Sequence, residues 1–326
     1  MNINLPKISF KGYDAAPLKS LYIEEFHSTP IEKEMEAIGK KENIDIRYYL
    51  SNNMWAQDDK TIVERDGKPF VVANSEIPKD ILKSLKYDYK LNGDWDYGYL
   101  TGGNTFIGKY PNGEKWLITG EYIDDTFKNY ISECYQIPKK NIHEIPIPDF
   151  HIDMGIRPIG YPDVLVNDPK IAEENLKKLD DGSRGYKDFK KMFDRKRQFY
   201  ETTYASADEI CDSLKKLGFN PIRVGGVYYN GINFMNAIVN KHQDGTMSYI
   251  TNASACRARL YTQIQKIFEE ELREKAPNIK TTYFVKGTNA GSSLPYKKSY
   301  MIDSIENKCG GIHCMTMEEP DFERWA

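Results

Sequence analysis

Cysteine is scarce in this chain: five in 326 residues, an odd number at irregular spacing. Such a set excludes the paired framework of a disulfide-stapled secreted domain. Long apolar runs are missing as well, since no stretch approaches the roughly 18 uninterrupted apolar residues of a membrane span. The opening Met1-Asn2-Ile3-Asn4-Leu5-Pro6-Lys7 lacks the basic-then-apolar order of a signal peptide, although an already processed chain would lack one too. There is no excess of positive charge. A net charge of −3 removes any broad footprint for nucleic acid, local patches aside. Three catalytic signatures are absent: a Gly-Lys-Ser/Thr phosphate loop, a nucleophile elbow for a serine triad, and a dinucleotide fingerprint. Together these absences predict a cytoplasmic chain with free thiols, and with neither nucleic acid nor membrane as a partner.

What is present is enough to fill a core. Apolar residues make up 40% and aromatic residues 13%, so global disorder is excluded, while length alone allows one large or two ordinary domains. Five segments have helical character: about 30 to 41 with Ser28-Thr29 as caps, 78 to 89 with Ile81, Leu82, Leu85 and Tyr89 on one face, 123 to 135, 207 to 217 and 257 to 275. Gly218 is a stop for the fourth. Most precede β-like runs, clearest at Ile44–Leu50, Ile142–Ile147 and Thr281–Val285. Hairpin turns are signalled at Asp66-Gly67, Asn112-Gly113 and Asp244-Gly245. The pattern is a mixed α/β structure in units of about 45 to 60 residues, near the range of repeat architectures. Residues 167–204 break the rhythm with a crowd of charges, among them Lys190, Lys191, Asp194, Arg195, Lys196 and Arg197. They read as a partly helical, solvent-facing insertion, with a lid or an anionic-partner site as the alternative.

Chemistry-bearing residues lie in short motifs spread over most of the chain. Near the end, Cys309-Gly310-Gly311-Ile312-His313-Cys314-Met315-Thr316 brings a thiol to a turn in which glycines allow close backbone approach. A lone cysteine is more often a buried, inert thiol, and a nucleophile needs a lowered pKa from a cationic neighbour, here a cationic substrate or His151. His151-Ile152-Asp153 has the alternation of a strand, which would face both polar side chains the same way. Metal ligation by this pair is disfavoured, because no second histidine lies at supporting spacing and Cys309 with His313 is isolated. Trp55-Ala56-Gln57-Asp58-Asp59 sets an aromatic face beside carboxylates, a pocket suited to a delocalised planar cation. Thr101-Gly102-Gly103-Asn104 is a tight bend or a site loop. A thiol, an imidazole and two carboxylates suit attack on a guanidinium carbon. Arg157 and Arg223 are cations near motif segments, and each reads first as a structural ion pair.

The ordered set Trp-x-x-Asp, Gly-Gly-Asn, His-x-Asp, the strand Tyr249-Ile250-Thr251-Asn252 and Gly-Gly-Ile-His-Cys-x-Thr resembles one family. It is similar to the agmatine deiminase and bacterial-type peptidyl-arginine deiminase family of the guanidine-modifying pentein superfamily. The matches are few but occur in family order from Trp55 to Thr316. The resemblance implies a single catalytic domain over 1–326, a five-bladed α/β propeller of ββαβ units with pseudo-fivefold symmetry. It implies Cys314 as nucleophile, His151 as general acid/base, and Asp58 and Asp153 as holders of the guanidinium nitrogens. Trp55, Asn104 and Asn252 join the expected substrate-binding set, and no metal or organic cofactor is implied. Two departures stand out. Thr101 replaces a glutamate common in members that act on small guanidines, and Gln57 replaces an arginine common before the aspartate. The first favours an arginine-containing peptide over agmatine or free arginine. An arginine dihydrolase shares the same first step, an amidinotransferase fits the tail less well, and a catalytically silent binding module is the non-enzyme alternative.

Overall fold

The computed structural model describes residues 12–50, 55–56, 60–74, 87–92, 102–120, 122–229, 231–254, 259–287, 300–308 and 310–325. The chain runs through β1 (Gly12–Tyr13), β2 (Leu18–Glu24), α1 (Glu25–Glu42) and β3 (Asp45–Tyr49), then the hairpin β4 (Lys60–Arg65) and β5 (Lys68–Asn74) and strand β6 (Asp88–Asn92). Next come β7 (Thr105–Lys109), β8 (Lys115–Thr119), α2 (Asp125–Tyr135), β9 (Ile142–Glu144), β10 (Ile156–Pro158) and β11 (Asp163–Asn167). Three helices follow, α3 (Pro169–Lys178), α4 (Arg184–Thr203) and α5 (Ala207–Lys216), before β12 (Asn220–Val224). The last part comprises β13 (Ile238–Lys241), β14 (Met247–Asn252), α6 (Arg259–Lys275), β15 (Ile279–Val285), α7 (Tyr300–Lys308), α8 (Ile312–Met315) and β16 (Thr316–Pro320).

These strands form five small sheets with one repeated pattern. In each, an antiparallel pair is extended by a third strand parallel to the middle one, as in β7-β8-β9, β10-β11-β12, β13-β14-β15 and β4-β5-β6. A parallel neighbour needs a crossover, and helices supply it between β2 and β3, β8 and β9, β11 and β12, and β14 and β15. The remaining sheet joins the two ends of the chain: β16 pairs antiparallel with β2, with Thr316 opposite Ile23. Buried apolar side chains accordingly divide into five clusters rather than one.

Local signals account for most boundaries. The Asp66-Gly67 turn has both residues at positive φ, the two-residue hairpin geometry that matches strand twist. Helix α5 opens on a reciprocal capping box, Ser206 with Glu209, and Gly218 at φ 86° lies beyond its end. The β-run from Ile142 is shorter than its sequence suggests, ending at Glu144, because Pro146 and Pro148 have no N–H to give a ladder. Helix α1 starts before Ser28-Thr29, since the Glu24 carboxylate accepts from the Phe26 amide at 2.7 Å and caps it earlier. Of the helix expected at 78–89, residues 78–86 lie outside the described residues, while Asp88 and Tyr89 belong to strand β6, paired with Phe70 and Val71.

The charged stretch at 167–204 is helical for most of its length and most of its residues reach solvent, but one face of it joins the core. Tyr186, Phe189 and Phe193 of α4 are buried, and Phe193 packs in a core that includes Leu176, Tyr228, Tyr229 and Phe268. Its charges also serve contacts within the chain: Arg197 and Lys190 reach Glu173 of α3 at 2.7 and 3.4 Å. The dense charge hid a stripe of three aromatics at helical spacing. Phe193→Ala should therefore cost about 3–5 kcal/mol in denaturant unfolding. Lys191→Ala, on the exposed side, should stay within about 0.5 kcal/mol of the parent protein.

Candidate active site

Four of the five motif segments precede a strand of an antiparallel pair, whereas Tyr249–Asn252 lies within β14. Trp55-Ala56 precedes β4, a one-turn helix Gly102–Asn104 precedes β7, and a second one-turn helix Ile152–Met154 precedes β10. Asn233 and Asn236 precede β13, and α8 with Cys314 precedes β16. The five units thus present chemistry from the same place in their local architecture.

His151-Ile152-Asp153 is not a strand. His151 is extended (φ −135°, ψ 150°) and the next three residues form a helical turn that ends at Gly155. The Asn104 side-chain oxygen accepts from the Ile152 amide at 3.1 Å and fixes the turn against its neighbouring unit. His151 and Asp153 nonetheless come together, over Gly103: a Cβ there would lie 2.5 Å from His151 Nδ1 and 2.9 Å from Asp153 Oδ1. Gly103 is a glycine because both catalytic-type side chains occupy that space.

Asp153 is 1% exposed and its carboxylate has two different faces. Oδ2 accepts from Asn236 Nδ2 at 2.7 Å and from the Cys314 thiol at 3.4 Å, and shares a hydrogen bond with His313 Nδ1 at 2.8 Å. Oδ1, on the His151 side, has no partner among the described residues. Burial pushes the Asp153 carboxyl up to about 8, against the pull of the thiol contact and of Arg157, with Asp149 adding to the rise. Burial likewise lowers His151 to about 4 and holds His313 well below the usual imidazole range, so both rings are neutral near pH 7. The 2.8 Å contact between His313 Nδ1 and Asp153 Oδ2 is therefore a hydrogen bond of a neutral imidazole.

Cys314 is buried at the end of this arrangement and receives a hydrogen bond from Asn236 Nδ2 at 3.1 Å. Its short helix is held by side chains in place of long backbone ladders. Asn252 Oδ1 accepts from the Ile312 amide at 2.7 Å, Asn236 Oδ1 from the His313 amide at 2.9 Å, and Thr316 Oγ1 donates to the Ile312 carbonyl at 2.9 Å. Gly311 has no room for a side chain, because a Cβ would lie 2.6 Å from both Asn236 Oδ1 and Asn252 Nδ2.

The other expected site residues fall in different places. Asn252 spends its amide on the Asn233 and Asn236 carbonyls, at 2.6 and 3.0 Å, so its side chain is bonded to backbone throughout. Asn104 likewise bonds backbone. Trp55 is half-buried, stacks on His27 at 4.9 Å between ring centroids, and packs against Gly310. Gln57, Asp58, Asp59, Thr101 and Cys309 lie outside the described residues. Arg157 and Arg223 are ion-paired within the fold, Arg157 to Glu318 at 3.1 Å and Arg223 to Asp168 and Asp208 at 3.1 and 2.5 Å. Sequence reasoning missed Asn236 and His313. His313 was legible as the neighbour of Cys314; Asn236 had no signal beyond its place before a strand.

No protein-family model and no curated sequence matches the chain. Solved structures do. An agmatine deiminase of C. jejuni superposes with a TM-score of 0.54 at 14% identity, covering 98% of this chain and 99% of that one. A cysteine-to-serine variant of a C. jejuni agmatine deiminase with substrate bound gives a TM-score of 0.54 at 13% identity, over 98% and 99%. An amidinotransferase from Microseira wollei, of the saxitoxin biosynthetic pathway, gives 0.51 at 10% identity, over 97% and 98%. At such identities the likeness is one of fold. The chain has the α/β fold found in solved guanidine-modifying enzymes, the same group to which its motifs pointed.

The buried carboxyl makes stability depend on pH in a defined direction. An unfolded aspartate ionises near about 4, whereas folded Asp153 keeps its proton up to about 8. Its contribution is fully present below about pH 4 and is lost as pH rises through about 8. Asp153→Asn should therefore raise the melting temperature at about pH 8 and leave it near the parent value at about pH 4. An equal change at both pH values would contradict this assignment.

Proposed function

We propose that the chain hydrolyses a guanidinium group, converting an arginine side chain to a ureido product and ammonia through a covalent adduct on Cys314. The observation that carries the reading is the pairing of the Cys314 thiol with one oxygen of Asp153 while the other faces the His151 side. A planar cation lying over Cys314 would find a carboxylate oxygen for its N–H groups and a sulfur below its central carbon. The five sheets, each preceded by a segment that carries candidate site residues, fit blades of a propeller around a pseudo-fivefold axis, with these segments at its centre.

In this reading the Cys314 proton passes to neutral His151, and the thiolate forms a bond to the guanidinium carbon as one C–N π pair moves onto nitrogen. His151 returns the proton to the departing nitrogen, and ammonia leaves with the C–N bonding pair. Water then adds to the thiouronium carbon with His151 accepting its proton. The C–S pair returns to sulfur, which takes back a proton from His151, while the new hydroxyl loses its proton to solvent as the C=O bond forms and the ureido product is released. Asp153, with Asp58 as the second carboxylate proposed, offsets the cation's charge in a water-poor site.

The substrate we place first is peptidyl arginine, on the strength of Thr101 where a glutamate is common. Agmatine or free arginine is the second reading, favoured by the fold likeness to agmatine deiminases. Incubation with an arginyl peptide, arginine and agmatine, with ureido product and ammonia both measured, separates the cases. One substrate should give ureido product, and Cys314→Ala should reduce it to background while the protein stays folded. Full activity in that variant would overturn the proposal, and ammonia without ureido product would indicate a dihydrolase. Gly103→Ala, which pushes His151 and Asp153 apart, should lower kcat about 100-fold, the order expected for a displacement near 1 Å.

A further inference from the structure

We infer that Asn236 is a catalytic residue, a neutral clamp whose carboxamide stabilises the Cys314 thiolate while holding Asp153 beside it. The inference rests on Cys314 as the nucleophile. Sulfur and carboxyl are 3.4 Å apart in a buried site, where ionisation of either opposes ionisation of the other. A group that favours both anions together must donate to both. The Asn236 amide does so, with one nitrogen 3.1 Å from Sγ and 2.7 Å from Asp153 Oδ2, and an NH2 has a hydrogen for each.

The rest of the side chain is equally committed. Asn236 is fully buried, and its oxygen accepts from the His313 amide, so the same carboxamide that touches sulfur fixes the backbone next to it. Its own backbone is held in turn, the amide by Asn233 Oδ1 at 3.1 Å and the carbonyl by Asn252 Nδ2 at 3.0 Å. No aliphatic or acidic residue reproduces the pattern of two donors and one acceptor. Aspartate keeps the acceptor and replaces the donors with charge. Gly311 is required by the same geometry, because any side chain there would displace the Asn236 oxygen.

Among the described residues, the titratable groups around the thiol are Asp153, which it contacts, His313 on its own helix, His151 beside Asp153 over Gly103, and, through Asp153, Asp149 and Arg157. None of these is altered in the test. The rate of Cys314 alkylation by iodoacetamide, followed by peptide mass spectrometry across pH, reports the thiolate directly and needs no substrate. Asn236→Ala should move the half-point up by about one pH unit, the size of a hydrogen bond to a charged group. Asn236→Asp, which keeps the His313 contact and the shape, should move it further up. If Asn236→Ala fails to fold, the aspartate variant carries the test. Folded variants that titrate like the parent protein would overturn the inference. The deiminase reading is judged separately by product formation, so a thiol shift without turnover leaves this role standing and rejects only that reading.

Discussion

The buried ion pair between Arg157 and Glu318 is the contact on which the site's geometry depends. Arg157 lies on β10, the strand entered from the Asp153 turn, and Glu318 lies on β16, the strand entered from the Cys314 helix. Their contact at 3.1 Å, with side chains almost wholly excluded from solvent, ties the strand after the Asp153 turn to the strand after the Cys314 helix. Arg157 also donates to the Tyr13 carbonyl at 2.9 Å, and the Tyr13 amide donates to Glu318 at 2.5 Å, so the N-terminal strand closes the same knot. Such a pair is a poor source of net stability, because desolvating two charges offsets most of their attraction. Its value here is positional, a second tie between β10 and β16 beside the contacts that Asp153 makes to His313 and Cys314.

The pair also sets the electrostatics of the site. The guanidinium sits over the Phe106 ring at 5.1 Å, and His313 stacks on the same ring at 5.6 Å. Arg157 draws Asp153 towards its anionic form and opposes protonation of His313, in each case acting with or against burial. The hydrogen bond between neutral His313 and Asp153 uses Oδ2 and leaves Oδ1 without a partner among the described residues. One fixed cation thus organises an imidazole and a carboxylate without touching either reacting position.

Much of this was legible in the sequence, and the limits have physical causes. Turn chemistry wrote the hairpins plainly at Asp66-Gly67 and Asp244-Gly245, because positive φ restricts the residues that can stand there. Amphipathic spacing located α2, α5 and α6. The charged helix α4 was harder, as its three buried aromatics are outnumbered by surface charges along the same turns. Motif residues were found where chemistry restricts residue type, as at Cys314 and Asp153. Asn236 escaped because an asparagine before a strand is ordinary until its hydrogen bonds are seen. The expected strand at His151 failed for a related reason: alternation of polar residues over three positions cannot be told from one extended residue followed by a helical turn.

The site trades stability for chemistry in a way that explains its surroundings. A carboxyl held near 8 and an imidazole held near 4 are both displaced against their own ionisation, so neither charge adds to folding at neutral pH. The fold offsets this around the site with uncharged partners, chiefly asparagines, whose donors and acceptors are satisfied whether the neighbouring groups carry charge or not. A lysine or arginine in place of Asn236 would stabilise a thiolate more strongly, but it would also repel a cationic substrate from the same position. A neutral donor meets both demands of the proposed chemistry, in which a bound guanidinium would supply the positive charge that the buried carboxyl and sulfur lack.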